Sequence, residues 1–263
     1  MKDTNQLLQY TGYIFDLDGT IYLSNRLLGQ ADQVIDKLTR LGKKVLFLTN
    51  KPIETRLDYA KKLNNFGIPA TIDNIINSSL VTAQYLSKQK SNAVVYVIGE
   101  PPLIQELESF GLQITADPLQ AEFLVVSFDR TFDYDKLNDA MIALKNGARY
   151  FATNPDRTCP IDGGEIPDCA GMIGAIHGVT GIYPEVICGK PSPITLAVAL
   201  ELIQQDAKDC LMIGDRLETD IKMGIEQGLD TALVLTGITS KEILEKSSIK
   251  PTYILESVAD FLL

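Results

Sequence analysis

Two aspartates, Asp16 and Asp18, stand two positions apart at the end of the apolar run YIFDL, residues 13–17. Gly19 and Thr20 follow directly, and Asp-Gly is a common turn pair. Like charges this close repel each other, and both lose hydration when they are buried. The structural explanation is a turn capped by one aspartate beside a solvated second one. The chemical explanation is a cation site in which one carboxylate also serves as a nucleophile.

Further polar residues follow two other apolar runs or precede a helical stretch. They are Thr49 and Asn50 after KVLFL, Lys190 within GKPSP, and Asp215 and Asp220 within GDRLETD. Each group has an ordinary explanation: a side-chain turn, a solvated lysine, or acids at a helix N-terminus. In open α/β sheets, however, ligands bind at the carboxyl ends of the strands. We therefore expect these groups to form one site together with the aspartate pair.

Several carboxylates in one site call for a hard cation, and oxygen ligands suit Mg²⁺. Mg²⁺ would attract an anionic oxygen of a substrate, and Lys190 and the Thr49 hydroxyl would balance the remaining negative charge. Phosphoryl transfer requires this kind of positioning and charge stabilisation. One aspartate can become an aspartyl-phosphate, while the second protonates the leaving oxygen and then deprotonates the attacking water.

The elements that would position these residues alternate between strands and helices. Seven apolar runs are predicted as strands buried on both faces of a parallel sheet. They are residues 13–17, 44–48, 93–99, 122–128, 149–153, 210–214 and 232–236. Helical stretches lie between them, two ending at Gly42 and Gly67 and one beginning with Ser192 and Pro193. The alternation predicts an α/β fold with a Rossmann-like, doubly wound parallel sheet.

The middle of the chain is predicted to be an inserted domain. We expect the catalytic core to comprise residues 1–83 and 182–263, and an α/β cap domain to comprise residues 84–181. Near its end the insert contains the polar, turn-rich segment TNPDRTCPIDGGEIPD, residues 153–168. Long loops of this kind are usually functional, so we expect this one to face the substrate.

Composition excludes several other classes of protein. The formal net charge of -10 argues against binding of nucleic acid. No apolar run approaches the length of a membrane span, and the N-terminus lacks the features of a signal peptide. The four cysteines form no C-x-x-C pair and are predicted to be reduced thiols in a cytoplasmic protein. His177 is the only histidine, and we expect it to be structural rather than part of a Ser-His-Asp triad.

In their order along the chain, FDLDGT, LTN, GKPSP and GDRLETD resemble the four motifs of the haloacid dehalogenase (HAD) superfamily of phosphatases. The resemblance implies that Asp16 is the nucleophile and a Mg²⁺ ligand. It implies that Asp18 is the acid/base and binds Mg²⁺ through its backbone carbonyl. Asp215 would be a further Mg²⁺ ligand, and Asp220 would support Lys190 or a metal-bound water. The presence of Asp18 favours phosphate chemistry over dehalogenation.

The same resemblance assigns the phosphoryl-binding residues. Thr49 and Asn50 would hold the phosphoryl group, and Lys190 would neutralise the nucleophile and the phosphoryl oxygens.

The insert resembles the α/β cap of the NagD-like, class IIA branch of that superfamily. This branch includes nucleotide, pyridoxal-phosphate, phosphoglycolate and 4-nitrophenyl phosphatases, and the stretches ATNPDRTCP, DCAGMIGAIHG, GDRLETDIKMGI and TALVLTG are most similar to its sugar-phosphate phosphatases. The resemblance implies a cap loop that selects the substrate, with Asp156, Arg157 and Asp168 as candidates, and a cap that can mediate a homodimer. The pyridoxal-phosphate phosphatases carry a histidine in this loop, and this loop has none.

The sequence therefore predicts a cytoplasmic, Mg²⁺-dependent phosphatase that acts on a small phosphate ester, with sugar phosphates favoured, through a phospho-Asp16 intermediate. The alternatives within the class are nucleoside monophosphates, pyridoxal phosphate and phosphoglycolate as substrates. Outside it, the alternatives are a non-catalytic protein and a phosphotransferase on the same scaffold.

Overall fold

The structure, a computed structural model, describes residues 4–161 and 163–263. Residues 1–3 of the predicted core and Asp162 of the predicted substrate-facing loop lie outside the described residues. The described strands are β1 (Gly12–Phe15), β2 (Tyr22–Leu23), β3 (Arg26–Leu27), β4 (Lys44–Thr49), β5 (Ile75–Asn77), β6 (Val94–Ile98), β7 (Gln113–Ile114), β8 (Phe123–Val126), β9 (Arg149–Ala152), β10 (Thr158–Ile161), β11 (Gly164–Pro167), β12 (Val186–Ile187), β13 (Cys210–Gly214), β14 (Asp230–Val234) and β15 (Tyr253–Leu255).

The helices connect and cover these strands. The described α-helices are α1 (Ala31–Arg40), α2 (Arg56–Asn65), α3 (Ser78–Gln89), α4 (Pro101–Ser109), α5 (Tyr134–Lys145), α6 (Cys169–Thr180), α7 (Pro193–Ile203), α8 (Lys222–Glu226) and α9 (Lys241–Lys246). Short 3₁₀ segments cover Thr4–Gln9, Ile72–Asn74, Pro118–Gln120, Ala207–Asp209 and Val258–Leu262, and one π-helical turn covers Leu217–Ile221. Among the described residues, no helix combines the length and the apolar character that crossing a membrane requires.

The larger sheet has six strands in the order β15-β14-β13-β1-β4-β5, and all of its pairings are parallel. The chain adds strands on one side of β1 first and then on the other, which confirms the doubly wound α/β fold. The order changes direction between β1 and β13, and ligands bind at such a switch point, beyond the carboxyl ends of the strands.

Helices cover both faces of this sheet because successive strand residues point to opposite sides. Tyr13 and Phe15 pack with α1 and α2 in one apolar cluster. Ile14 packs with α3 and α7 in another. This explains why the strands are continuously apolar rather than alternating, as parallel strands buried on both faces must be.

The second sheet has five strands in the order β12-β9-β8-β6-β7, again parallel. In chain order its first strand is β6, which begins after α3. Helix α3 runs across the core–cap boundary that we expect between residues 83 and 84. The last strand of the sheet in chain order, β12, pairs with β9, whereas the expected boundary places Val186–Ile187 in the core. Two-residue strands carry too little pattern to be recognised from sequence, so these expected boundaries differ from the extent of the sheet.

The predicted helix ends agree with the local chemistry. Ser192 accepts a hydrogen bond from the Ile194 amide and Pro193 begins α7. Gly42 and Gly67 follow α1 and α2 with φ values of 69° and 82°, the left-handed conformation that ends a helix. Local propensity therefore determined these ends.

The segment predicted as a long polar loop contains an antiparallel hairpin, β10 paired with β11. Asp168 follows it and is the N-cap of α6, where its side chain accepts a hydrogen bond from the Cys169 amide. His177 on that helix stacks on Tyr183 with ring centroids 3.8 Å apart. The four cysteines are buried and unpaired.

Candidate active site

The carboxyl ends of three neighbouring strands bring the predicted motifs together. Asp16 follows β1 directly, Thr49 is the last residue of β4, and Asp215 follows β13 directly. Because these strands are parallel neighbours with β1 in the centre, their ends meet at one edge of the sheet. Lys190 reaches the same place from the segment before α7. All four residues line one cavity.

Lys190 is the centre of this cluster. Its Nζ lies 2.5 Å from Asp16 Oδ1 and 2.6 Å from Asp220 Oδ1, and it also donates to the Leu48 carbonyl at 3.3 Å. Burial by itself lowers the pKa of a lysine, but the charges of Asp16 and Asp220 outweigh it and raise the pKa of Lys190. The ammonium group is therefore a permanent positive charge beside Asp16.

The carboxylates outnumber this cation. Oxygen atoms of Asp16, Asp215 and Asp220 all lie within 4.8 Å of one another. Burial, together with the neighbouring charges of Asp220 and Asp215, raises the pKa of Asp16 well above its usual value, although Lys190 opposes the shift. Burial and the charge of Asp220 raise the pKa of Asp215 to about 7. The site is therefore short of positive charge.

This donor set suits a hard divalent cation. Asp16 Oδ2 and Asp215 Oδ1 accept no hydrogen bond from the described residues, whereas Oδ1 of Asp16 is bound to Lys190 and Oδ2 of Asp215 accepts from the Ile238 amide at 2.6 Å. Two free carboxylate oxygens thus remain for a metal. Asp220 lies close to Asp16 and Asp215, but both of its carboxylate oxygens already accept hydrogen bonds. One accepts from Lys190 Nζ, and the other accepts from the Arg216 amide at 3.1 Å.

Asp18 lies on the turn that follows the nucleophile position. Gly19 has a φ of +88°, and a Cβ there would lie 2.6 Å from Asp215 Oδ2, so the turn requires glycine. The Thr236 hydroxyl donates to the Gly19 carbonyl at 2.6 Å and holds this turn. Asp18 Oδ1 accepts from Lys51 Nζ at 3.4 Å, while Asp18 Oδ2 is buried without a hydrogen-bond partner in the described part of the chain.

Asn50 is held tightly beside Lys190. Its Oδ1 accepts from the Lys190 amide at 2.8 Å, and its Nδ2 donates to the Lys190 carbonyl at 3.0 Å. The hydroxyl oxygen of Thr49 accepts from the Lys51 amide at 3.1 Å, which leaves its proton available to the cavity. A hydroxyl, a lysine and adjacent amides in this arrangement can hold an anionic group.

Two of the three candidate residues from the cap loop reach the cavity. Asp156 and Asp168 line it. Asp168 Oδ1 accepts from Asn154 Nδ2 at 2.9 Å, and burial together with the charge of Asp156 raises the pKa of Asp168 to about 6. Arg157 does not line the cavity, and its side chain is exposed. The chain bends at Arg157, so that Asp156 faces the cavity while Arg157 faces outward.

Sequence reasoning missed the two cations that reach the cavity besides Lys190. Lys51 follows Asn50 directly, and Arg216 follows Asp215 directly. Both are next to predicted residues in the chain, and that adjacency was the signal that could have identified them. Thr158, Cys159 and Pro160 of β10 close the cavity from the other side.

The cavity has a volume of about 40 Å³, well below the range for sites that bind drug-sized molecules. None of the described residues that line it is aromatic. Chemically, the arrangement offers a buried carboxylate beside a lysine, a second acid two residues on, free oxygen ligands for a cation, and donors for an anion.

Two protein-family models match the chain. The haloacid dehalogenase-like hydrolase model matches residues 13–113, and the HAD-hydrolase-like model matches residues 187–261. Among curated proteins, the sugar-phosphatase AraL of Bacillus subtilis is 40% identical over 95% of this chain and 91% of its own length. The 5'-nucleotidase YutF of the same organism is 37% identical over 96% of this chain and 98% of its own length.

Solved structures show the same similarity. The p-nitrophenyl phosphatase from Archaeoglobus fulgidus matches with a TM-score of 0.91 and 37% identity, over 97% of this chain and 98% of that one. NagD from E. coli K-12 matches with a TM-score of 0.86 and 31% identity, over 95% of this chain and 98% of that one.

Proposed function

Because the chain belongs to the haloacid dehalogenase-like hydrolases, as a phosphoric monoester phosphatase of their NagD-like branch, we propose that it hydrolyses small sugar phosphates. The proposed reaction requires Mg²⁺ and proceeds through a phospho-Asp16 intermediate. The observation that carries the mechanism is the buried cluster around Lys190, in which Asp16 keeps one oxygen free while the lysine binds the other.

In the first step, a carboxylate oxygen of Asp16 attacks the phosphorus atom and the bond from phosphorus to the sugar oxygen breaks. Asp18 gives its proton to the departing oxygen, so the sugar leaves as a neutral alcohol. In the second step, Asp18 removes a proton from water, and the water oxygen attacks the phosphorus. The bond from phosphorus to the Asp16 oxygen breaks, which regenerates the Asp16 carboxylate and releases inorganic phosphate. The buried Oδ2 of Asp18 supports this role, because no donor among the described residues competes for it.

Charge stabilisation would come from Lys190, from the Thr49 hydroxyl and from the metal. Lys190 would face the phosphoryl oxygens while it holds Asp16 in position, and Asn50 would hold Lys190 through two backbone hydrogen bonds. Asp220 would fix the lysine from the other side at 2.6 Å. Donors that are already ordered need no reorganisation during the reaction.

Mg²⁺ would be held by Asp16, by Asp215 and by the Asp18 backbone carbonyl. When bound, it supplies positive charge that polarises the phosphoryl group and offsets the excess of carboxylates. Asp220 is a supporting residue in this scheme, because its two oxygens are occupied by Lys190 and the Arg216 amide.

The walls of the cavity favour a sugar over the other candidate leaving groups. Nucleobases and pyridoxal rings are usually bound by stacking on aromatic side chains, and none lines this cavity in the described residues. Phosphoglycolate carries a carboxylate besides its phosphate, and this carboxylate would be repelled by Asp156 and Asp168 on the cap side. A hydroxyl-rich sugar instead offers donors to carboxylate and threonine acceptors. The name of the similar protein AraL, a sugar-phosphatase, agrees with this preference.

The second candidate substrate class is nucleoside monophosphates, and the name of YutF, at 37% identity, favours it. The assignment of residues 84–181 as a cap, a homodimer formed through that cap, and a cytoplasmic location are further proposals that rest on the sequence.

The test is phosphate release from pentose, hexose and triose phosphates, nucleoside monophosphates, phosphoglycolate and pyridoxal phosphate, with Mg²⁺ and with EDTA. We expect Mg²⁺-dependent release with the highest kcat/KM on a sugar phosphate. A preference for a nucleotide would keep the mechanism and overturn the substrate class. Release that depends on an added acceptor alcohol would indicate a phosphotransferase, and no release from any ester would support a non-catalytic role.

A further inference from the structure

The Asp156 carboxylate is bound from three directions. Its Oδ2 accepts from Asn50 Nδ2 at 2.9 Å and from Asn154 Nδ2 at 3.1 Å, and its Oδ1 lies 3.5 Å from Arg216 Nη1. Asn154 belongs to the same loop as Asp156, whereas Asn50 and Arg216 follow strands β4 and β13 of the six-stranded sheet. Asp156 therefore joins the loop to two separate strand ends of the core.

Arg216 makes a second contact with the same loop. Its Nη2 donates to the Thr158 carbonyl at 2.6 Å, so one guanidinium binds both the carboxylate and the backbone two residues later. The planar, forked guanidinium can do this, whereas a lysine offers a single ammonium. Both partners are largely shielded, with side-chain exposures of 17% for Arg216 and 11% for Asp156. An ion pair this shielded is screened by solvent less than a surface pair.

The core residues of this contact stand beside the reacting groups in the chain. Asn50 follows Thr49, the proposed phosphoryl ligand, and Arg216 follows Asp215, the proposed metal ligand. A shift of the loop would therefore pull on both of these neighbours. Conversely, a metal and a phosphoryl group that order these strand ends would order the anchor points of the loop.

We propose that Asp156 and Arg216 form a clasp that holds the segment 156–161 closed over Asp16, and that Asp156 is a positioning residue rather than a ligand of the substrate. This inference rests on the proposed phosphatase function only for its effect on turnover, since the contact itself is independent of the substrate. It reassigns Asp156, which the resemblance had placed among the substrate-binding residues.

The clasp has a measurable consequence for substrate affinity. If only the closed loop completes the cavity, the apparent affinity falls in proportion to the fraction of closed molecules. Loss of the clasp should therefore raise KM. A variant that merely folds less well would lower the active fraction and leave KM unchanged.

The first test is hydrogen exchange of full-length protein without substrate. The Ala170 amide donates to the Asp156 carbonyl and the Asp168 amide donates to the Arg157 carbonyl, both at 3.0 Å, so these two amides report on the loop. We expect Asp156→Asn and Arg216→Gln each to speed their exchange by roughly tenfold, with the amides of β1 and β4 unchanged. Arg40→Gln, at an exposed helix position, is the matched control for loss of one arginine charge.

The second test is a double-mutant cycle on KM for the best sugar phosphate and for p-nitrophenyl phosphate. Because the two side chains act through each other, we expect the double variant to raise KM no more than the larger single variant does, roughly tenfold on both esters. Arg216→Lys should give an intermediate KM, since it keeps the charge but not the fork, and it replaces Arg216→Gln if the latter fails to fold.

The clasp would be overturned if hydrogen exchange of the Ala170 and Asp168 amides is unchanged in the variants and the increases in KM are either additive or confined to the sugar phosphate. That result would return Asp156 to the substrate-binding residues. If the wild-type protein hydrolyses no ester, the proposed function fails. The exchange measurement still decides the clasp in that case, because it needs no turnover.

Discussion

Lys190 and Asp16 lie 174 positions apart in the chain, yet Lys190 Nζ is 2.5 Å from Asp16 Oδ1, and both side chains are buried. A buried charge that loses its partner is strongly destabilising, because its desolvation is no longer offset. The contact therefore links the stability of the fold to the chemistry at its centre.

Replacing Lys190 with methionine should remove the cation and keep most of the side-chain volume. We expect the free energy of unfolding to fall by about 3 to 5 kcal/mol in EDTA, because Asp16 and Asp220 lose their buried ammonium partner. Urea unfolding measures this change, with Lys61→Met on an exposed helix surface as the control. A loss no larger than in the control would mean that the lysine does not compensate these carboxylates.

Asp16→Asn should separate catalysis from stability. The amide cannot attack phosphorus, so we expect kcat to fall by at least roughly a thousandfold. Because burial and neighbouring carboxylates raise the pKa of Asp16, the neutral amide should leave the melting temperature in EDTA unchanged or higher. Single-turnover assays and thermal melts measure the two effects, with the exposed Asp73→Asn as the control. Turnover close to that of the wild-type protein would exclude the nucleophile role.

Mg²⁺ should stabilise the folded protein through Asp215. A cation that binds the folded state but not the unfolded chain raises stability by about 2.7 kcal/mol at a hundredfold excess over its Kd. We expect Mg²⁺ to raise Tm of the wild-type protein and to have a much smaller effect on Asp215→Asn, which can still accept the Ile238 amide. Thermal melts over a Mg²⁺ titration test this. An equal Tm increase in both proteins would place the metal elsewhere.

The stability of the folded protein should depend on the protonation of Asp168. Burial and the charge of Asp156 raise its folded pKa to about 6, above the usual value for an aspartate, so the folded state binds more protons than the unfolded chain between about pH 4 and pH 6. The contribution of this group to the free energy of unfolding therefore decreases as the pH rises through that window.

Asp168→Asn removes this dependence while its side-chain oxygen can still cap α6. We expect the variant to be more stable than the wild-type protein by about 1 to 3 kcal/mol at pH 7.5, with the difference disappearing near pH 4. Urea unfolding of both proteins at several pH values measures it, and the difference between them removes the contribution of groups that titrate in both. A constant difference across the range would contradict the raised pKa.

Several features of the fold and the site could be predicted from the sequence because they depend on local pattern. Continuous apolar runs predicted the strands that form the centre of both sheets, and Asp16, Thr49 and Asp215 follow because each stands at the end of such a run. The strands β5, β7, β12 and β15 were missed, since two or three residues carry no usable periodicity. The hairpin of β10 and β11 was missed because its polar, glycine-rich sequence resembles a loop.

The sequence by itself determined which candidate residues meet, because parallel strands must bring their carboxyl ends to one edge of a sheet. Only the tertiary structure decided how the second sheet meets that edge. It turned Asp156 inward and Arg157 outward, and it brought Arg216 to Asp156 across 60 positions of the chain. Such contacts depend on how two separately formed sheets pack together, and no local pattern encodes that geometry.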